Sequence, residues 1–188
     1  MTVSPAAVTR LVLLGLLGGI FQLSAVSQIT VFGVSADLTP LLVASAGFIC
    51  GSVTGAAFGF ALGMFVDVSL LQTLGVNSLA LVAVGYGAGR VRELRDPAHG
   101  LAPIAIGAAA TFVAAVIFTL LQFLLGVQAP VSLLLVREIL LTVVLNTILA
   151  LPVYALMRRV LLPFLPDDPR RRRRRAYTTG GLSPLSRA

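Results

Sequence analysis

Long apolar runs recur along this chain at 11–31, 38–70, 75–89, 102–125 and 132–157, and they restrict what it can fold into. A helix rises ~1.5 Å per residue and a bilayer's hydrocarbon core is ~30 Å thick, so ~20 apolar residues make one crossing. Composition agrees: mean hydropathy is +1.00, with 57% hydrophobic and 11% charged residues. Soluble domains average about 45–50% apolar and about 25% charged residues. The sequence is that of an all-α integral membrane protein. Its 188 residues leave room for six spans with short connections and for no sizeable soluble domain.

The stretch 38–70 is the difficulty. As one straight helix between Asp37 and Asp67 it would run to roughly 45 Å, too long for one crossing and somewhat short for two. Arginine placement decides, because basic loops stay in the cytoplasm. With Arg10 inside, two crossings bring Arg90, Arg92 and Arg95, and also Arg158 and Arg159, to the cytoplasmic face. One crossing would force the Arg90 group outside. A turn is therefore predicted at Cys50 to Thr54, between helices at about 38–51 and 54–70. The external connections 32–37, 68–75 and 126–132 then contain no arginine, and both termini are cytoplasmic.

The expected division is a cytoplasmic N-terminus at 1–10, a six-helix transmembrane domain at 11–162 and a disordered arginine-rich cytoplasmic tail at 163–188. A competing reading makes Arg10, the run Leu11 to Leu23 and Ala25-Val26-Ser27 a cleaved signal peptide, leaving five spans. The run continues through Ile29 to Phe32, which favours a retained helix. In the tail, Pro163, Pro166 and Pro169 precede Arg170, Arg171, Arg172, Arg173, Arg174 and Arg175. Such a run beside a membrane anchors topology and attracts anionic lipid headgroups at about 1 kcal/mol per charge. With no aromatic platform or folded basic domain beside it, nucleic acid is not expected as a partner. All 14 basic residues are arginine, the net charge is +7, and the single cysteine, Cys50, allows no intramolecular disulfide or thiolate metal cage.

Glycine falls at every fourth position in 47–63: Gly47, Gly51, Gly55, Gly59 and Gly63. In hydrocarbon this spacing lets helix backbones approach closely. With a turn near Gly51, the last three form a groove on span three, and Gly15 and Gly19 form a weaker one on span one. Each groove receives either another helix of this chain or the helix of a partner. Charges inside a membrane are costly unless paired or hydrated, which singles out Asp37, Asp67, Arg137 and Glu138. Asp37 is placed to cap a helix that continues through Pro40, and both aspartates are expected at the outer interface. Adjacent on one helix, Arg137 and Glu138 are poorly placed to pair with each other, so Arg137 is predicted to reach Asp67 or Asp37. Asn146, Gln22 and Gln28 are candidates for interhelical hydrogen bonds in the same polar network. No HExxH, Walker-type loop, GxSxG or metal-ligand cluster occurs, and the lone His99 lies in a loop, so neither an enzyme nor a cofactor is expected.

The ordered segments ADLTPLLV (36–43), GAAFGFALGMFVD (55–67) and LGVNSLALVAVGYGAGR (74–90) resemble the MreD family of rod shape-determining membrane proteins. Gly55, Gly59, Phe60, Gly63 and Asp67 match one family segment, and Leu74, Gly75, Asn77 and Leu79 another. The usual Pro-Asp is Ala36-Asp37 here, with the proline at Pro40, and the turn after span two lacks basic residues. The resemblance implies a six-helix fold similar to the substrate-binding component of energy-coupling-factor transporters. It implies a non-enzymatic scaffold of the bacterial cell-elongation machinery in the inner membrane. Its implied partners are a single-span MreC-like protein and, through it, the RodA and penicillin-binding-protein complex that builds side-wall peptidoglycan. Self-association is left open. The fold similarity also supplies an alternative, a vitamin-type transporter component; the short apolar outer connections and the absence of Trp speak against a tight polar pocket. A purely structural membrane protein would bind neither a ligand nor MreC.

Overall fold

The computed structural model describes residues 5–25, 28, 30–31, 33–94, 102–126, 133–161 and 163. Arg95, His99 and Arg170 to Arg175, on which loop and tail expectations rested, lie outside the described residues. Among the described residues there are six helices: α1 (Pro5–Ser24), α2 (Leu38–Cys50), α3 (Ser52–Ser69), α4 (Val76–Leu94), α5 (Ala102–Leu124) and α6 (Leu133–Leu161). Four of these, α1, α3, α5 and α6, contain segments long and apolar enough to cross a membrane. The connection from α1 to α2 carries a short antiparallel hairpin, β1 (Thr30–Val31) with β2 (Val34–Ser35), turning at Gly33 with a φ of 83°.

α2 is apolar on every side, the pattern of a helix with no face for solvent or lipid. It is buried without a gap from Thr39 to Cys50 and packs against all the other helices. Those five close a ring around it in the order α1, α3, α4, α5, α6 and back to α1. A helix in that position needs no lipid-matching length. At 13 residues α2 is on the order of 20 Å long, whereas α6, with 29, reaches roughly 43 Å. Thr111 and Asn146, level with the start of α2, lie mid-way along α5 and α6, so those two helices continue past it and leave a recess there.

The turn predicted at Cys50 to Thr54 shrinks to Gly51 alone. With φ at 103°, that residue occupies a region side-chain-bearing residues avoid, so the chain reverses there without a loop. Two charged residues at the end of α4 hold the break. Arg92 donates to the carbonyl of Ile49 in the last turn of α2, and Glu93 Oε1 accepts from Ser52 N–H at 3.1 Å and Ser52 Oγ at 2.7 Å at the start of α3. Cation at a helix C-terminus and anion at an N-terminus match the partial charges of those ends. The Ser52 hydroxyl and amide, with Arg90 beside them at 3.3 Å, hold the Glu93 carboxyl below the usual carboxylate range.

Candidate functional site

Two polar clusters and two surfaces organise the bundle, and each starts from a residue type that is costly in an apolar interior. At the start of α2, Asp37 is the N-cap, accepting Thr39 N–H at 2.9 Å. Residues 36–38, past the β1–β2 hairpin, have no strand partner, and two side-chain amides satisfy their peptide groups. Gln22 of α1 donates to Ala36 O at 3.0 Å and accepts from Leu38 N–H at 2.9 Å. From the opposite side, Asn146 of α6 accepts from Asp37 N–H at 3.1 Å and donates to Asp37 O at 2.6 Å. The same amide donates to Thr111 Oγ1 of α5 at 3.0 Å. Each amide thus replaces one strand's worth of peptide pairing. Replacing the fully buried Asn146 by Leu leaves the Asp37 peptide unpaired in an apolar interior. The expected loss is about 2–3 kcal/mol, read as a lowered Tm in detergent.

The second cluster closes the α3–α4 loop. Asp67, 0% exposed, accepts from Gly75 N–H at 2.8 Å, Asn77 N–H at 3.3 Å and Asn77 Nδ2 at 2.8 Å. These donors belong to the first turn of α4, so the carboxylate of one helix caps the next. Gly75, with φ at 94°, lets the chain enter that turn. The Asp67 and Leu74-Gly75-x-Asn77 segments are therefore two halves of a single cap. Two residues from the end of α3, Asp67 is enclosed by protein, and its own loop supplies the donors water would have given.

The expected pairing of Arg137 with Asp37 or Asp67 does not form. Arg137 and Glu138 are exposed, and the one ion pair among the described residues joins Arg90 and Glu93. α6 is longer than the hydrocarbon is thick, so its first turns need not lie in the apolar layer. Gln28, expected in the polar network, is exposed. Thr111, Arg92 and Glu93, which complete the two ends of α2, carry no sequence signal. A single hydroxyl in an apolar helix and charges in a basic loop are ordinary, and only the packing gives them a task.

The glycine grooves are filled. A Cβ added at Gly55 would stand 2.5 Å from Gly47 Cα and from Gly85 O; at Gly59, 2.7 Å from Leu81 C; at Gly63, 2.6 Å from Ser78 N. α2, α3 and α4 thus meet backbone to backbone, and the groove of α3 receives α4 of the same chain. On α1, the positions facing Gly15 and Gly19 are taken by Phe58 at 2.6 Å and Phe65 at 2.9 Å. An open counterpart lies elsewhere. Between α4 and α5 a cleft of about 220 Å³ has Ala83, Gly87 and Val91 on one rim and Ala109 and Val113 on the other, all exposed. An added Cβ at Gly87 meets nothing within 4 Å.

Above α2, in the recess left by its short length, is a cavity of about 320 Å³. Gln22, Asp37, Gln72, Asn77, Thr111 and Thr142 contribute its polar wall. The remaining described arginines, Arg10, Arg90, Arg92, Arg158 and Arg159, lie at the opposite end of the bundle, where α1 starts and α4 and α6 finish.

In comparison with known proteins, the family model for rod shape-determining protein MreD matches residues 7–160. No curated protein and no solved structure matches the chain.

Proposed function

The chain belongs to the MreD family, which carries a role in rod-shape determination, and from that membership we propose that it is a non-enzymatic scaffold linking an MreC-like single-span partner to side-wall peptidoglycan synthesis. The cluster of arginines at one end of the bundle supports an orientation with that end, and both termini, in the cytoplasm of the inner membrane. Six crossings follow if the buried α2 and the arginine-ended α4 count with the four helices that are both long and apolar enough to span.

The observation that carries the partner reading is the open cleft between α4 and α5. Its rim is small, apolar and uncharged, with Ala83 and Gly87 four residues apart, the spacing at which two membrane helices approach closely. The other glycine seams are already occupied within the chain, so this face is where a further helix gains contact without displacing one. The occupant is the single transmembrane helix of the MreC-like partner, which connects onward to the RodA and penicillin-binding-protein complex.

Gly87→Leu starts from a Cβ with nothing within 4 Å and places its side chain in the open cleft. The expected result is an unchanged Tm for the purified protein, at least a tenfold loss of co-purified MreC, and rounded cells in a rod-shaped host. Undiminished co-purification would rule this cleft out as the dock. The transporter alternative predicts uptake into vesicles that survives the same substitution.

A further inference from the structure

The wall of the cavity above α2 holds a carboxyl group that no cation among the described residues answers. Asp37 lines it, half-buried, with Thr39 as its hydrogen-bond partner. Among the described residues no arginine pairs with it. A carboxylate has about four acceptor sites, so capping a helix leaves capacity unused at the cavity wall. Asp67 shows the contrast: three donors surround it and it has no exposure.

The rest of the wall narrows the class of ligand. Val66, Leu70, Leu81, Ala115 and Phe118 are apolar, and Thr142 adds a hydroxyl. A partly desolvated carboxylate favours a cation opposite it. Gln22, Gln72, Asn77 and Thr111 already bond within the protein, so a hydrated inorganic ion would find few free oxygens here to replace its water. The geometry points to a primary ammonium group on a short apolar body, its nitrogen against Asp37 and its body against α4 and α5. At about 320 Å³ the space falls at the lower end of ligand pockets, which run from about 300 to 1,000 Å³. A free alkylamine and the head of an aminophospholipid present the same R–NH3+ group. This site is separate from the α4–α5 cleft, so its failure would leave the partner reading standing.

The test uses the full chain in maltoside micelles free of amines, with n-hexylammonium as probe and n-hexanol as its neutral counterpart. The amine is expected to raise Tm saturably, by about 3 °C at tenfold excess over its Kd, and the alcohol to leave it unchanged. Asp37→Asn keeps a competent helix cap and removes the charge. It should retain the ligand-free Tm and lose the amine response. Should that variant fold poorly, Ala115→Leu, which narrows the cavity from α5, should weaken the response at least tenfold in amine concentration. Equal responses to amine and alcohol, or an amine response that survives whichever of these variants folds, overturn the proposal. Nanodiscs identify the source: a higher Tm in phosphatidylethanolamine than in phosphatidylglycerol assigns the site to the lipid, and a response to the free amine alone assigns it to a soluble ligand. No response to either also overturns it.

Discussion

Gly55→Leu should abolish the fold. The added Cβ alone would lie 2.5 Å from the backbone of α2 at Gly47 and of α4 at Gly85. Neither obstacle is a side chain that can rotate away, so relief requires separating two helices that also meet at Gly59 and Gly63. Ordinary overpacking costs about 1–3 kcal/mol, and a seam opened along its length costs more, against a total stability of about 5–15 kcal/mol. The expected readout is loss of the monodisperse peak in detergent and little accumulation in the membrane. The same leucine at Gly87, on a neighbouring helix, leaves Tm unchanged. That pair of outcomes separates glycines that hold the chain together from the glycine offered to a partner. A folded Gly55→Leu variant would mean that α3 and α4 are not packed as described.

Asp67→Ala ranks second. It strands two half-buried backbone donors, the amides of Gly75 and Asn77, and takes one of two acceptors from the Asn77 side chain, which keeps Gln72 Oε1 at 3.2 Å. At roughly 1–3 kcal/mol for each of the two unsatisfied amides, and with some relaxation of the loop, a loss of about 2–4 kcal/mol is expected. For a chain of this size that lowers Tm by about 10 °C. Asp67→Asn retains one acceptor oxygen and should lose less than half as much. Hydrogen exchange should show the difference first at the start of α4, since that is the turn the carboxylate caps. If alanine and asparagine are equally mild, the cap is not what holds the α3–α4 loop.

Much of the helical outline was legible because a membrane helix must satisfy its backbone within itself, which forces long apolar runs into the sequence. The break inside 38–70 was legible from arginine placement, though not its economy: a loop of several residues was expected, and Gly51 alone suffices. The cap formed by Asp67, Gly75 and Asn77 was visible only as a pattern of letters, since its parts are eight to ten residues apart and join through the loop. The predicted partners of Arg137 were wrong because charge was assumed to be at membrane depth, whereas the length of α6 gives its first turns room outside it.

The sequence by itself determined the solvent, the helical class and the family, because apolar runs, the sparse charges and the order of short segments are all local properties of the chain. Which helix stands at the centre was decided only by the tertiary structure. α2 reads as one more crossing, and it becomes the buried post only when five others close around it. The same assembly sorts identical glycines into filled and open, and turns a short helix into the floor of a cavity. Those distinctions depend on which neighbour arrives at 2.5 Å and which does not, and no residue carries that distance in its own identity.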